Sequence, residues 1–162
     1  MKEAVKIYYG DGKGKTAAAL GYAVRNAGLG KRSTIIQFLK GGAVPKEAGV
    51  MERLEPEVRL FRFEKSDVPF KELSEKEQEE EALNIRNTLN FSKKVLSTGE
   101  SDLVVLDEVL GLVDEGLATD EELIQVLEAR NDATEVILTG WKLDEKLRTA
   151  ADAIYRIDQE ER

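Results

Sequence analysis

Seven residues, Gly10-Asp-Gly-Lys-Gly-Lys-Thr16, carry the clearest chemistry in this chain. They follow a β-branched and aromatic run, Ala4-Val-Lys-Ile-Tyr-Tyr9, and precede an alanine-rich segment, Ala17-Ala-Ala-Leu-Gly-Tyr-Ala-Val24. A strand, a Gly-rich turn and a helix opening on Lys-Thr form a phosphate cradle. Glycines admit backbone angles that a Cβ forbids, so successive N–H groups can turn inward onto an anion. The helix start adds unpaired N–H groups and the positive end of its dipole. Lys15 supplies a charge for terminal phosphates, and Thr16 a hydroxyl for Mg²⁺. Gly10, Asp11, Gly12, Lys13, Gly14, Lys15 and Thr16 are therefore the expected nucleotide-binding residues, with ATP as the ligand.

The loop departs from the usual G-x-x-x-x-G-K-[ST] spacing. Counting back from Gly14, Tyr9 stands where the first glycine belongs, and Gly10 comes one place late. Lys13 adds a second cation within the loop. The competing reading is a Gly-rich hairpin turn with solvated lysines. The strand before the loop and the helix pattern after it favour the cradle.

A second element completes a nucleotide site. Leu103-Val-Val-Leu-Asp-Glu108 is an apolar strand ending in two acids. At the carboxyl end of a parallel strand, such an acid lies beside the phosphate loop and holds Mg²⁺ directly or through water. Asp107 is the expected metal-linked residue, with Thr16 and Glu108 completing the shell. Lys13, Lys15 and Glu108 are the expected phosphate and Mg²⁺ support. Many strands also end in Asp before a turn, and that reading stays open for Asp107. Thr139-Gly140, after Val136-Ile-Leu138, ends another strand at the same edge, either as ligand crevice or as a simple turn.

The elements needed to hold these groups are legible in the pattern. Strands are expected at 4–9, 33–38, 58–63, 102–106, 135–139 and 153–157. Several are nearly continuous apolar runs, as suits strands covered on both faces. Helices are expected at 15–27, 45–53, 74–98, 119–130 and 142–151. This alternation predicts an α/β fold: a single-domain, P-loop NTPase-like three-layer sandwich over residues 1–162, with a mostly parallel sheet of five or six strands. Ser74-Glu-Lys-Glu77 and Thr119-Asp-Glu-Glu122 read as capping boxes. Glu77–Glu81 reads as a solvated helix face, and Ala82, Ile85, Leu89 and Leu96 as the buried stripe behind it. Gly28 is the expected left-handed residue ending the first helix. Gly41-Gly-Ala-Val-Pro45 is the expected mobile loop at the carboxyl end of the second strand.

Composition removes several chemistries. The 162 residues contain no cysteine and no histidine. Disulfides, thiolate nucleophiles, Cys- or His-ligated metals and an imidazole base are excluded. What remains is carboxylates, lysines, hydroxyls, backbone amides, a hard cation or the substrates themselves. A net charge of −8 disfavours nucleic acid as a partner. The N-terminus shows no signal-peptide core and no apolar run is long enough for a bilayer, so a cytoplasmic location with no membrane partner is expected.

Tyr9-Gly-Asp-Gly-Lys-Gly-Lys-Thr-Ala-Ala-Ala-Leu-Gly21 resembles the loop of the P-loop type corrinoid adenosyltransferases. The non-glycine at the first position and the extra lysine are usual there. Ile35-Ile-Gln-Phe-Leu-Lys-Gly-Gly42, Asp102-Leu-Val-Val-Leu-Asp-Glu108 and Val136-Ile-Leu-Thr-Gly140 are similar to the family's later strand motifs. The resemblance implies transfer of the 5′-deoxyadenosyl group of ATP to a Co(I) corrinoid or cobalamin, with release of triphosphate. The cobalt is the nucleophile, so no protein nucleophile is needed. It also implies small-molecule substrates and a homodimer. Other readings stay open: an ATP-binding relative with a lost or altered corrinoid site, and a P-loop ATPase or small-molecule kinase in which Glu108 orients water or a hydroxyl.

The chain departs from the family in three places. The family carries a Phe-x-Trp element after its third strand, whereas this chain reads Lys65-Ser-Asp-Val-Pro-Phe70. Phe70 is the candidate substitute against the corrinoid. Where the family often has Thr-Gly-Arg, this chain has Thr139-Gly-Trp141. Trp141 is a second corrinoid candidate, able to stack on corrin or adenine or simply to pack the turn. The family's basic and aromatic tail is not seen in Gln159-Glu-Glu-Arg162.

Overall fold

The computed structural model describes residues 4–39, 48–64 and 66–161. The loop expected at 41–45, the first residues of the helix expected at 45–53, and Lys65 lie outside the described residues. Six strands form one parallel sheet: β1 Val5–Tyr9, β2 Ser33–Gln37, β3 Val58–Arg62, β4 Leu103–Asp107, β5 Glu135–Gly140 and β6 Ala153–Arg156. Their spatial order is β3-β2-β4-β5-β1-β6. The helices are α1 Lys15–Gly28, α2 Ala48–Arg53, α3 Glu75–Thr98, α4 Gly111–Asp114, α5 Asp120–Glu128 and α6 Glu145–Arg148, with a 3₁₀ turn at Phe70–Glu72. The expected α/β sandwich is present, with every strand pairing parallel.

Alternation along each strand explains the layers. In β4, Val104 and Leu106 point into a core with α3, α5 and α6, while Leu103 and Val105 point into a core with α1 and α2. Ile36 and Ile35 divide the same way on β2. A strand buried on both faces has no polar side to spare, which is why these runs are continuously apolar. Ala19 and Ala23 of α1 are fully buried, and their small side chains bring that helix close to the sheet.

Helix ends follow the expected caps in part. Ser74 Oγ accepts from Glu77 N at 3.2 Å, and Thr119 Oγ1 accepts from Glu122 N at 3.1 Å. Gly28 remains helical, and the left-handed residue is Gly30 at φ 75°. The last helix is shorter than 142–151, covering Glu145–Arg148. The stripe on α3 also differs from its expected members. Ala82 is exposed, and the position one turn before Ile85 is taken by Glu81, which is buried. No helix among the described residues is long and apolar enough to cross a membrane.

Candidate functional site

The phosphate loop leaves β1 at Tyr9 and enters α1 at Lys15. Its shape depends on glycine at two points. Gly10 has φ 128°, and a Cβ there would lie 2.2 Å from Ile157 O. Gly14, preceding the helix, has φ 106°. Both conformations are ones that L side chains rarely adopt. The segment after β6 closes against the loop: Gly12 N donates to Ile157 O at 2.8 Å, and Gln159 N donates to Asp11 Oδ1 at 3.1 Å. Gly10 N donates to Gly140 O and Trp141 O, tying the loop to the end of β5.

Lys15 is buried, and its Nζ donates to Gly10 O at 2.8 Å and Gly12 O at 2.7 Å. The ammonium is thereby folded across its own loop. It also lies 5.8 Å from the centre of the Trp141 ring. A ligand with a stronger acceptor than a carbonyl would draw it outward, because phosphate carries charge and a peptide oxygen does not.

Asp107 ends β4 with no exposed surface. It is not adjacent to the loop strand, because β5 lies between β4 and β1. Side chains cross that gap. Thr16 Oγ1 donates to Asp107 Oδ1 at 2.8 Å, and Thr139 Oγ1 donates to the same oxygen at 2.7 Å. Gln37 Nε2 donates to Oδ2 at 3.2 Å. Thr139 Oγ1 in turn accepts from Glu108 N at 2.8 Å. Four strand or helix ends thus meet on one carboxylate. Charge-assisted hydrogen bonds of this kind offset the cost of burying it.

Glu108 follows at φ 61°, a left-handed conformation uncommon for a side chain of this type. Such strain persists where the surroundings hold it, here the Thr139 bond. Glu108 lines a cleft of about 300 Å³ with Asp11, Lys13, Lys15, Thr16 and Trp141. Trp141 is 59% exposed and its side of the turn lines this cleft. Among the described residues, no group of three or more His, Cys, Asp or Glu converges as a metal cage. Thr16 lines the cleft, and its hydroxyl joins it to the fully buried Asp107 carboxylate behind.

Phe70 does not join this cleft. It lies on the 3₁₀ turn and lines a separate cavity of about 360 Å³ with Leu39, Leu73, Ile85, Leu117 and several carboxylates. The two spaces approach each other at Gly111, whose ideal Cβ would lie 2.7 Å from Leu39 Cδ1 and 3.8 Å from Glu108 Oε2.

Three contributors were not singled out in the sequence. Gln37 has an apolar-strand setting but sits in register with Asp107 on the neighbouring strand, which only pairing reveals. Arg148 Nη2 donates to Tyr9 Oη at 2.8 Å, holding the ring that precedes the loop. Ile157–Gln159 supplies the backbone lid against Gly12 and Asp11. Beyond the edge, Asp120 is pushed above the ordinary aspartate range by desolvation, then by hydrogen bonding and repulsion from Asp144. Asp114 is raised by desolvation, with Lys142 opposing.

The family model of ATP:corrinoid adenosyltransferase BtuR/CobO/CobP matches residues 1–162. The corrinoid adenosyltransferase of Escherichia coli (strain K12) is 30% identical over 151 residues, covering 93% of this chain and 74% of that protein. Corrinoid adenosyltransferase CobA of Salmonella typhimurium is 30% identical over 155 residues, with the same 93% and 74% coverage. Among solved structures, C. elegans PCH-2 aligns with a TM-score of 0.50 at 16% identity, covering 97% of this chain and 35% of that one; it shares the fold alone. With its loop variant, its acid-ended strand and a family match along its whole length, the chain belongs to the ATP:corrinoid adenosyltransferases of the BtuR/CobO/CobP family.

Proposed function

We propose that this chain transfers the 5′-deoxyadenosyl group of ATP to a Co(I) corrinoid, and that ATP sits in the cleft at Gly10–Thr16. The observation that carries the reading is the junction of Thr16, Thr139 and Asp107 beside a lysine folded over its own loop. In the reaction, the cobalt electron pair attacks C5′, a Co–C bond forms, and the C5′–O bond breaks. Its electrons leave on triphosphate. The protein must place C5′ in line and stabilise the growing charge on the leaving oxygens.

The residues divide that work. Loop N–H groups and the α1 dipole meet the triphosphate. Lys15 turns from the carbonyls of Gly10 and Gly12 to the phosphates, and Lys13, exposed on the rim, adds a second cation. Mg²⁺, when bound, would be held by Thr16 and Asp107 with Glu108 at the mouth, and would neutralise phosphate charge. Thr139 and Gln37 keep the Asp107 carboxylate oriented. Trp141 offers a flat apolar face at the cleft, for adenine or corrin. The chemistry asks for no histidine, and none is present.

The same reading takes residues 1–162 as one domain, working as a cytoplasmic homodimer that shelters the corrin. Sedimentation at working concentration tests the dimer. The reaction is tested by mixing protein, ATP, Mg²⁺ and chemically reduced cobalamin without oxygen and following Co–C bond formation by absorbance. Product with equimolar triphosphate supports adenosyl transfer. ATP binding without product points to a relative lacking a working corrinoid site. Phosphate release without corrinoid points to an ATPase.

A further inference from the structure

Glu81 occupies a core position of α3. It stands one turn before Ile85 and is 9% exposed, while its neighbour Ala82 faces solvent. Its Oε1 is buried with no hydrogen-bond partner among the described residues. Buried acceptors are nearly always satisfied, by protein, by ordered water or by a ligand, so this oxygen has room for a donor from outside the chain.

Two adjoining cavities, of about 360 and 380 Å³, both have Glu81 in their walls, together with Ser66 and Leu73. The first has an apolar floor of Leu39, Phe70, Ile85 and Leu117, and carries Glu115 on the loop after α4. The second adds Glu77 and Glu80. Among the described residues, no Lys or Arg lines either cavity. These walls suit an apolar body fringed with N–H donors. They repel a body fringed with carboxylates, since like charges brought together out of water are disfavoured. Spaces of this size take the rim of a macrocycle and its short arms rather than the whole ring.

Resting on the adenosyltransferase reading above, we propose that Glu81 is a specificity-determining residue for amidated corrinoids: its carboxylate accepts a hydrogen bond from a side-chain amide of a corrin seated against Phe70. Corrinoids whose arms end in carboxylates are rejected at the same place. The feature is separate from ATP binding, because the Phe70 cavity and the phosphate-loop cleft share no lining residue.

The test is equilibrium binding of two unreduced corrinoids to the ATP-loaded protein, followed by turnover after reduction. Cobinamide presents amide arms and cobyrinic acid presents carboxylate arms. One hydrogen bond to a charged group sets the expected preference for cobinamide at about tenfold or more. Glu81→Gln, which offers an N–H₂ to a carboxylate, should bring the ratio close to one while leaving ATP affinity unchanged. Glu79→Gln removes the same charge from an exposed position lining neither cavity, and should leave the ratio as it was. Equal binding of the two corrinoids by the unaltered protein overturns the inference. So does a preference that survives Glu81→Gln or falls equally in Glu79→Gln. Failure to bind either corrinoid overturns it together with the corrinoid site. A preference that follows Glu81 without any turnover supports the inference and sinks the transfer reaction instead.

Discussion

The cleft at Gly10–Thr16 offers N–H groups and lysines, whereas the cavity at Phe70 offers apolar side chains and carboxylates. Both open at the carboxyl edge of the same parallel sheet, where the strand ends and their following loops gather. The first is built largely from contiguous residues, so its chemistry is written in one short motif. The second draws on the ends of β2 and β3, the 3₁₀ turn, α3 and the loop after α4. The lysines beside the carboxylates of the first space can meet a polyanion, whereas the carboxylates of the second, with no Lys or Arg in its wall among the described residues, disfavour one.

The sharpest way to break this contrast is Lys15→Ala. Losing the buried ammonium that would turn from the loop carbonyls to the phosphates should weaken ATP binding about a hundredfold or more, read by calorimetry. Unchanged affinity would remove the loop from the nucleotide site. Phe70→Ala should act on the other side. We expect KM for the corrinoid to rise about tenfold with ATP affinity unaltered, because the lost ring is worth on the order of 1.5–3 kcal/mol of apolar burial. A change in ATP affinity instead would mean that the two spaces act as one.

Thr139→Val tests the bridge that joins β4 and β5 to the loop. The isosteric change removes the Thr139 hydroxyl as a donor to Asp107 Oδ1 and as the acceptor for Glu108 N. A cost of about 1–3 kcal/mol in unfolding free energy is expected by denaturant titration. Lower turnover with intact ATP binding should accompany it.

Asp120→Asn gives the smallest effect. Desolvation and Asp144 hold Asp120 above the ordinary aspartate range, so the folded chain binds more protons than the unfolded one. Stability is then greatest below the ordinary value and falls as pH rises through the raised one. The Asn variant should flatten that decline and raise Tm near neutral pH by roughly 2 °C at most. A steeper decline in the variant would reverse the assignment.

Most elements were legible because their signals are local. The strand at β4 reads as an apolar run, and Ser74 and Thr119 announce the starts of α3 and α5. Errors fell where a neighbour from elsewhere decides. Gly28 looked like the helix stop, yet the chain turns at Gly30. Ala82 fits an apolar stripe by type, but its angle on the helix puts it in solvent, and Glu81 lies inward against Ile85 and the Phe70 cavity. Trp141, read either as a stacking face or as packing for the turn, is exposed and lines the cleft.

From residues alone came the phosphate loop, the acid-ended strand, the alternation of strands and helices, and the absence of thiol and imidazole chemistry. Each rests on contiguous spacing or on composition, which need no fold to be read. Tertiary structure decided that β5 stands between the loop strand and Asp107, and that Thr139 spans the gap. It also decided that Ile157–Gln159 backs the loop and that a glutamate lies buried beside Phe70. Those facts depend on which distant segments pack together. Strand order and helix rotation are set by the burial of the whole core, and no short stretch of sequence carries them.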